Sequence, residues 1–364
     1  MNESSYYHAI AIAMQSGYAS IKKYRTAGDG SWKAAYGMLK ESEPSLYERG
    51  IALPDPHEEY ERMEQMGIQL ILDSQKEFPE ALRHIPHPPF GIYLRGDATA
   101  LTTRVRNTPQ STSDGASMLA IVGTRRASAD GKKTARSFAH ALAAAGFTIV
   151  SGLAFGIDAA AHEGALDADG TTIAVLAGGL DAVYPQSHNA LAKKILEHGG
   201  ALISEYPPGE APLAYRFIER NRIISGISRG ALIIEAPGSS GALATARYAV
   251  EQNRDVFVVP GAINTGNFKG SHALIRQGAE LVTSPDDILE AYGINKKEHV
   301  LAHATASSPE ETLILTALAR SSAAADVDKL IALTKIEPRR VNQALSFLII
   351  RGIVKESNEG YTIS

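Results

Sequence analysis

The segment YRFIERNRIISGISRG, residues 215–230, places Arg216, Arg220, Arg222 and Arg229 within a stretch of 14 residues. Tyr215, Phe217 and Asn221 are interleaved with them, and Glu219 is the one acid among the four arginines. Guanidiniums beside aromatic faces are the parts of a platform on which bases stack while phosphates are neutralised. The structural alternative is arginines that bond helix carbonyls, which suits some of the four but not readily all. A second group is GTRRASADG, 123–131. There Gly123 permits a tight turn, Thr124 offers a hydroxyl, and Arg125 and Arg126 are two forks suited to phosphate. SGLAFGIDAAAH, 151–162, adds Ser151, Gly152 and Phe155. Ser239, Ser240 and Gly241 lead into a helix, and Asn264, Asn267 and Lys269 lie on a Gly-rich stretch. Each loop alone is modest evidence. Four such loops at the ends of strands of one sheet make a shared anion site, because helix N-termini and turn amides both favour negative charge.

Other chemistry fits less well. Asp158 and His162 are four apart and share a helix face. No nucleophile lies beside them, so a dipole-favoured Asp and a structural His are preferred to a catalytic dyad. Ser151 lacks the G-x-S-x-G setting of a nucleophile elbow. Neither a G-x-x-x-x-G-K-[ST] loop nor a dinucleotide fingerprint occurs. With no cysteine, a disulfide framework, a Cys-based zinc site and a thiol nucleophile are excluded. No catalytic residue, metal or cofactor is expected.

These loops need elements to carry them. From residue 118 the chain alternates short apolar runs with amphipathic helices: MLAIVG, SFAHALAAAGF, TIVSGL, AAAHEGAL, TIAVLAGG, NALAKKILEHGG, ALISEY, then ALIIEA, ALATARYAVEQN and DVFVVPG. That rhythm predicts an α/β fold, a doubly wound parallel sheet over 118–290 with both faces covered. Residues 1–66 read as short helices closed at Gly, Pro or polar positions. Residues 67–117 read as a connector: strand IQLIL, a run holding Pro79, Pro86, Pro88 and Pro89, strand GIYLRG, and a polar loop. Residues 291–308 read as a linker, and 309–364 as three helices and a β-hairpin, the winged-helix pattern.

At 364 residues, two or three domains are expected. The net charge of −4 arises wholly in residues 1–90, which hold 9 basic and 13 acidic residues. A nucleic-acid site would therefore have to be a local basic groove rather than a basic domain. There is no secretory pattern at the N-terminus and no apolar run long enough to span a bilayer, so no membrane contact and a cytoplasmic location are expected.

Taken in order, GTRRASADG, SGLAFGIDAAAH, GGLDAVYP, ISEYPPGEAP, RFIERNRIISGISRG, SGALATARYAV and DVFVVPG closely resemble the DNA-processing protein A family (DprA, also called Smf). The resemblance implies an extended Rossmann-like domain that binds single-stranded DNA without established catalysis. That domain would be flanked by a SAM-like helical domain and a winged-helix domain. It further implies protection of incoming strands and loading of RecA recombinase in natural transformation, by a dimer formed through the Rossmann-like domains. On this likeness Arg125 occupies the basic position of the family's GSR-type turn. Ser151-Gly152 and Arg220-Asn221-Arg222 match motifs lining the DNA pocket. Arg125, Arg220 and Arg222 would hold phosphates, while Phe217 or Phe155 would stack a base. Three departures stand out. After Tyr184-Pro185 the chain reads QSHNALAKK, so either Lys193 or Lys194 replaces the family's DNA-contacting lysine or that contact is absent. Ile218 stands where proline is usual, and the polar segment 102–117 is long.

The competing reading is a nucleotide-handling enzyme of the lysine-decarboxylase-like phosphoribohydrolase type. Its PGG-x-GT-x-x-E motif has no clean match, because Pro237-Gly238 leads into SSGALATARYAV without the glutamate. Arg339 and Arg340 would make the C-terminal module a duplex reader. Seven basic and seven acidic residues in 310–364 favour a structural or protein-binding module instead.

Overall fold

The computed structural model describes residues 2–15, 17–41, 53–101, 118–294, 308–320, 324–351, 353–357 and 360–363. The polar segment 102–117 and most of the expected linker, 295–307, lie outside the described residues. Two compact units are present, one of residues 1–143 and 147–284, the other of 285–364 with 144–146.

The first unit opens with α1 (Glu3–Ala13), α2 (Tyr18–Ala27), α3 (Trp32–Glu41) and α4 (Pro56–Gln65). Asn2 caps α1, and Asp55 caps α4 by accepting the His57 and Glu58 N–H groups, with Pro56 preset for the first turn. These helices bury Ile10, Trp32, Leu39 and Met63 in a cluster that also holds Leu70, Tyr93 and Leu202 from three strands. The helical N-terminus thus covers one face of the sheet.

β1 (Gln69–Leu72), the short α5 (Glu80–Arg83) and β2 (Gly91–Gly96) follow. Then come β3 (Met118–Val122), α6 (Ala129–Ala144), β4 (Thr148–Ser151), α7 (Ile157–Asp167), β5 (Thr172–Val175), α8 (Asn189–Glu197) and β6 (Ala201–Ser204). The unit ends with α9 (Ala214–Gly226), β7 (Gly230–Ile233), α10 (Gly241–Glu251), β8 (Asp255–Val258), α11 (Lys269–Arg276) and β9 (Glu280–Leu281). The sheet has nine strands in the order β1-β2-β6-β5-β4-β3-β7-β8-β9. It is parallel from β6 to β9, while β1 and β2 run antiparallel at one edge.

The sheet therefore reaches further back than residue 118, where the helix–strand rhythm begins. Tyr93 pairs with Ser204 and Leu94 with Ile203, so part of the expected connector forms two strands of the sheet, β1 at its edge and β2 next to it. The prolines lie between these strands rather than within them, which leaves their ladder donors intact. β3, β4, β5, β6 and β7 are buried at every position. That is the pattern of parallel strands covered on both faces. Alternation still assigns faces: in β6, Ala201 and Ile203 join one core while Leu202 joins the other.

The second unit contains α12 (Pro285–Ala291), α13 (Pro309–Arg320), α14 (Val327–Thr334), α15 (Pro338–Ile350) and the antiparallel pair β10 (Val354–Ser357) and β11 (Gly360–Ile363). It has its own core, including Ile314, Leu318, Leu330, Val341, Leu345 and Val354. Among the described residues no helix is long and apolar enough to cross a membrane.

Candidate nucleic-acid interface

A cavity of about 730 Å³ opens at the carboxyl ends of β3 and β7. These strands are neighbours, and the chain winds from β3 through β4, β5 and β6 one way and from β7 through β8 and β9 the other. Such a switch point leaves a crevice between diverging connections, where open α/β sheets take their ligands.

The β3–α6 turn supplies Thr124, Arg125 and Arg126 to the cavity wall. Thr124 is held by its N–H donating to Glu235 O at 2.8 Å, and its Oγ1 accepts the Arg126 N–H at 3.2 Å. Arg125 is exposed, and its guanidinium lies 4.5 Å from the centre of the Phe217 ring. Phe217 meets Tyr184 edge-on at 5.6 Å, and Tyr184 is 49% exposed. One wall is thus a run of cation, ring and ring, open to solvent. Opposite sequence elements bring Ser239, Ser240 and Gly241 to the same cavity, at the start of α10. Ser240 caps this helix through the Ala242 N–H, and the first turn turns its positive end to the cavity.

The floor is different. Arg220 is 3% exposed and donates to the Gly152 and Val175 carbonyls. Burial draws its pKa down to about 10, opposed by Asp158, so it stays positive at neutral pH. Burial raises the Asp158 carboxyl pKa, while Arg220 and the Ala154 and Gly152 N–H groups pull it down. Asn221 accepts the Arg220 Nε–H at 3.3 Å and donates to Gly241 O at 3.2 Å, joining α9 to the start of α10. Three guanidiniums against one carboxylate line the cavity, a local positive site in a chain of net charge −4.

The expected residues divide into those the fold gathers here and those it does not. Thr124, Arg125, Arg126, Phe217, Arg220, Asn221 and Ser240 line the cavity. Ser151 and Gly152 lie beneath it. The Ser151 hydroxyl donates to Ile121 O at 2.6 Å, and the Gly152 N–H donates to Asp158 at 3.1 Å. A Cβ on Gly152 would stand 2.5 Å from Arg220 Nη2, so this glycine is required by close approach. Phe155 is 48% exposed and packs edge-on to His188, outside the cavity wall. Lys193 is exposed and pairs with Glu197 at 3.5 Å, and Lys269 is exposed at the start of α11; neither lines the cavity.

Arg222, expected to hold phosphate, does not line this cavity. It is 7% exposed, donates to Glu205 and lines a separate cavity with Tyr18 and Tyr248. Arg216 is likewise taken up by Glu210 at 2.7 Å and by the Ala211 and Gln15 carbonyls. The reason is helical geometry. Positions 217, 220 and 221 share the cavity face at i, i+3 and i+4, and Arg216 and Arg222 fall on another.

Asp158 and His162 have separate tasks. His162 is fully buried, with Nδ1 at 2.7 Å from the Thr172 hydroxyl, which donates to Ile149 O. Burial holds its imidazole pKa down to about 3, so the ring is neutral. Glu235, not among the expected residues, ties the surrounding loops. A lone acid ending the apolar run ALIIEA was the available signal. No group of three His, Asp or Glu among the described residues is placed to hold a metal ion.

Residues 69–293 match the family model for DNA recombination-mediator protein A. The chain belongs to this family. Within it, the chain is 44% identical over 228 residues to protein Smf of Escherichia coli, covering 63% of this chain and 58% of that protein. It is 38% identical over 226 residues to DNA processing protein DprA of Bacillus subtilis, covering 62% and 72%. It spans about half the length of the first curated relatives it matches, 58% for the E. coli protein and 44% for the Mycobacterium tuberculosis one. Among solved structures, DprA from Streptococcus pneumoniae superposes with a TM-score of 0.59 at 31% identity, over 78% of this chain and 92% of that one. DprA from Helicobacter pylori, whose structure concerns a single-stranded DNA binding mode, superposes with a TM-score of 0.53 at 28% identity, over 62% and 95%. The recombination-mediator match contains every residue of the cavity wall.

Proposed function

We propose that the cavity holds single-stranded DNA and that the protein acts as a recombination mediator in natural transformation, delivering the strand to RecA. The observation that carries this is the Arg125–Phe217–Tyr184 wall beside the N-terminus of α10, at the switch point of the sheet. Rings accept any base, and guanidiniums and helix amides accept phosphate, so binding is independent of sequence. Both the family and the single-strand binding described for the H. pylori relative support the reading.

On this reading Thr124, Arg125, Arg126 and Ser240 hold phosphate, and Phe217 with Tyr184 receives a base. Arg220 and Asn221 hold the floor charged and in shape. Ser151 and Gly152 act as scaffold. Phe155, Lys193 and Lys269 are assigned to the strand outside the cavity. No covalent chemistry is assigned to the protein, which would act in the cytoplasm, where strand and recombinase meet. The helical N-terminus is assigned as the SAM-like domain, and 309–364 as the winged-helix domain. A homodimer through the Rossmann-like unit is part of the proposal.

The test is strand exchange on oligonucleotides already coated by a single-strand-binding protein. The protein should restore RecA filament formation there and should prefer oligothymidylate to its duplex. No stimulation with intact strand binding would confine it to protection. Base release from nucleoside monophosphates would replace the reading with that of a nucleotide hydrolase.

A further inference from the structure

Glu235 lies outside the cavity wall, yet three loops around the cavity meet on its side chain. It follows β7 and is 1% exposed. Its Oε2 accepts the Ser128 N–H at 3.0 Å and the Asn267 Nδ2–H at 2.9 Å, and Oε1 accepts the Ser128 hydroxyl. Ser128 Oγ accepts the Gly131 N–H at 2.9 Å, and Asn267 Nδ2 also reaches Arg126 O at 3.3 Å. A Cβ on Gly131, in the first turn of α6, would stand 2.5 Å from the carboxylate, so helix and side chain approach closely there. Through its backbone carbonyl Glu235 accepts the Thr124 N–H. Loop 123–131, which carries both exposed arginines, is thus tied to 235–241 before α10 and to 261–268 before α11.

We propose that Glu235 is a positioning residue for DNA binding, holding the Arg125–Arg126 turn against the start of α10. This rests on the reading of the cavity as a single-strand site. Three neutral donors converge on this one buried carboxylate, and its charge strengthens each of those hydrogen bonds. Glutamine in its place keeps the shape, and its NH2 group can donate to the Ser128 hydroxyl, but the charge that strengthens these hydrogen bonds is gone, so the turn loosens while both flanking strands stay paired. Neither Glu235 nor Asn267 lines the cavity, so an effect on DNA acts through the loops that the carboxylate ties together.

The experiment is fluorescence-anisotropy titration of labelled oligothymidylate against wild type, Glu235→Gln, the Arg125→Ala/Arg126→Ala pair and the triple variant. Hydrogen exchange is read at the Ser128 and Arg126 amides. Glu235→Gln should weaken binding about tenfold, the loss of a hydrogen bond to a charged group. It should cost nothing further once both arginines are gone, the signature of residues acting as one unit. Exchange should quicken at Ser128 and Arg126 but not in β3 or β7. Asn267→Ala, which removes one donor from a partly exposed site, should act in the same direction with a smaller loss, and it stands in if Glu235→Gln fails to fold. Wild-type affinity in these variants, or losses that add to those of the arginine pair, would overturn the positioning role alone. A wild type that does not bind oligothymidylate would overturn the cavity reading, and the role with it.

Discussion

Arg220 and Arg222 stand two residues apart on α9, and burial gives them different partners. The sequence supplies the arginines and their density but not the face each occupies. That depends on where α9 starts and on a carboxylate, Glu205, that arrives from the end of β6. Hence Arg125, Thr124 and Phe217 were legible as candidates that the fold brings to the cavity, and Arg222 was not separable from them. The difference is testable. Arg222→Ala leaves Glu205 buried without its cation, which costs about 3–5 kcal/mol. The variant should lose thermal stability yet, at a temperature where it is folded, bind single strands like the wild type. His162 gives a pH prediction. Its folded pKa of about 3 lies below the unfolded value of 6.5. The unfolded state therefore binds the proton first. The stability is fully present above pH 6.5 and is lost as pH falls toward 3, with a limiting slope on the order of 1 kcal/mol per pH unit. Urea midpoints measured between pH 7.5 and 5 should fall, and the fall should be shallower in a folded His162→Gln variant. Equal slopes would contradict the assignment.

At the scale of elements, the alternation of apolar runs and amphipathic helices was enough to place β3 through β8, because fully buried parallel strands read as short continuous apolar runs. β1 and β2 were visible as strands but not as members of this sheet. Antiparallel pairing of β2 with β6 joins residues more than 100 positions apart, and no local pattern records that. Ser239-Ser240-Gly241 was legible because a capping serine before an apolar-periodic run has a local cause. Ser240→Ala should cost about 1 kcal/mol, read as a lower midpoint in chemical unfolding. It should also weaken single-strand binding if the first turn of α10 faces phosphate. Gly152→Ala should be worse than its size suggests, since the added methyl meets the Arg220 guanidinium, whose other contacts fix the floor. A neutral Gly152→Ala would show that the floor yields.

At the scale of the whole molecule, each unit has a core of its own, and every residue of the cavity wall belongs to the first. A chain ending at residue 294 should therefore keep its single-strand affinity within about twofold, which anisotropy would check. A large loss would assign DNA contacts to 309–364. Net charge was a poor guide at this scale, since acids in residues 1–90 mask a cavity in which guanidiniums outnumber carboxylates. The central claim is that this cavity holds the strand. The most direct measurement is the salt dependence of oligothymidylate affinity for the wild type and for Arg125→Ala. Arg125→Ala should weaken binding and lower the slope of log K against log salt by about 0.7, the counterions released by one phosphate contact on a single strand. An unchanged affinity and slope would place the strand elsewhere on the protein.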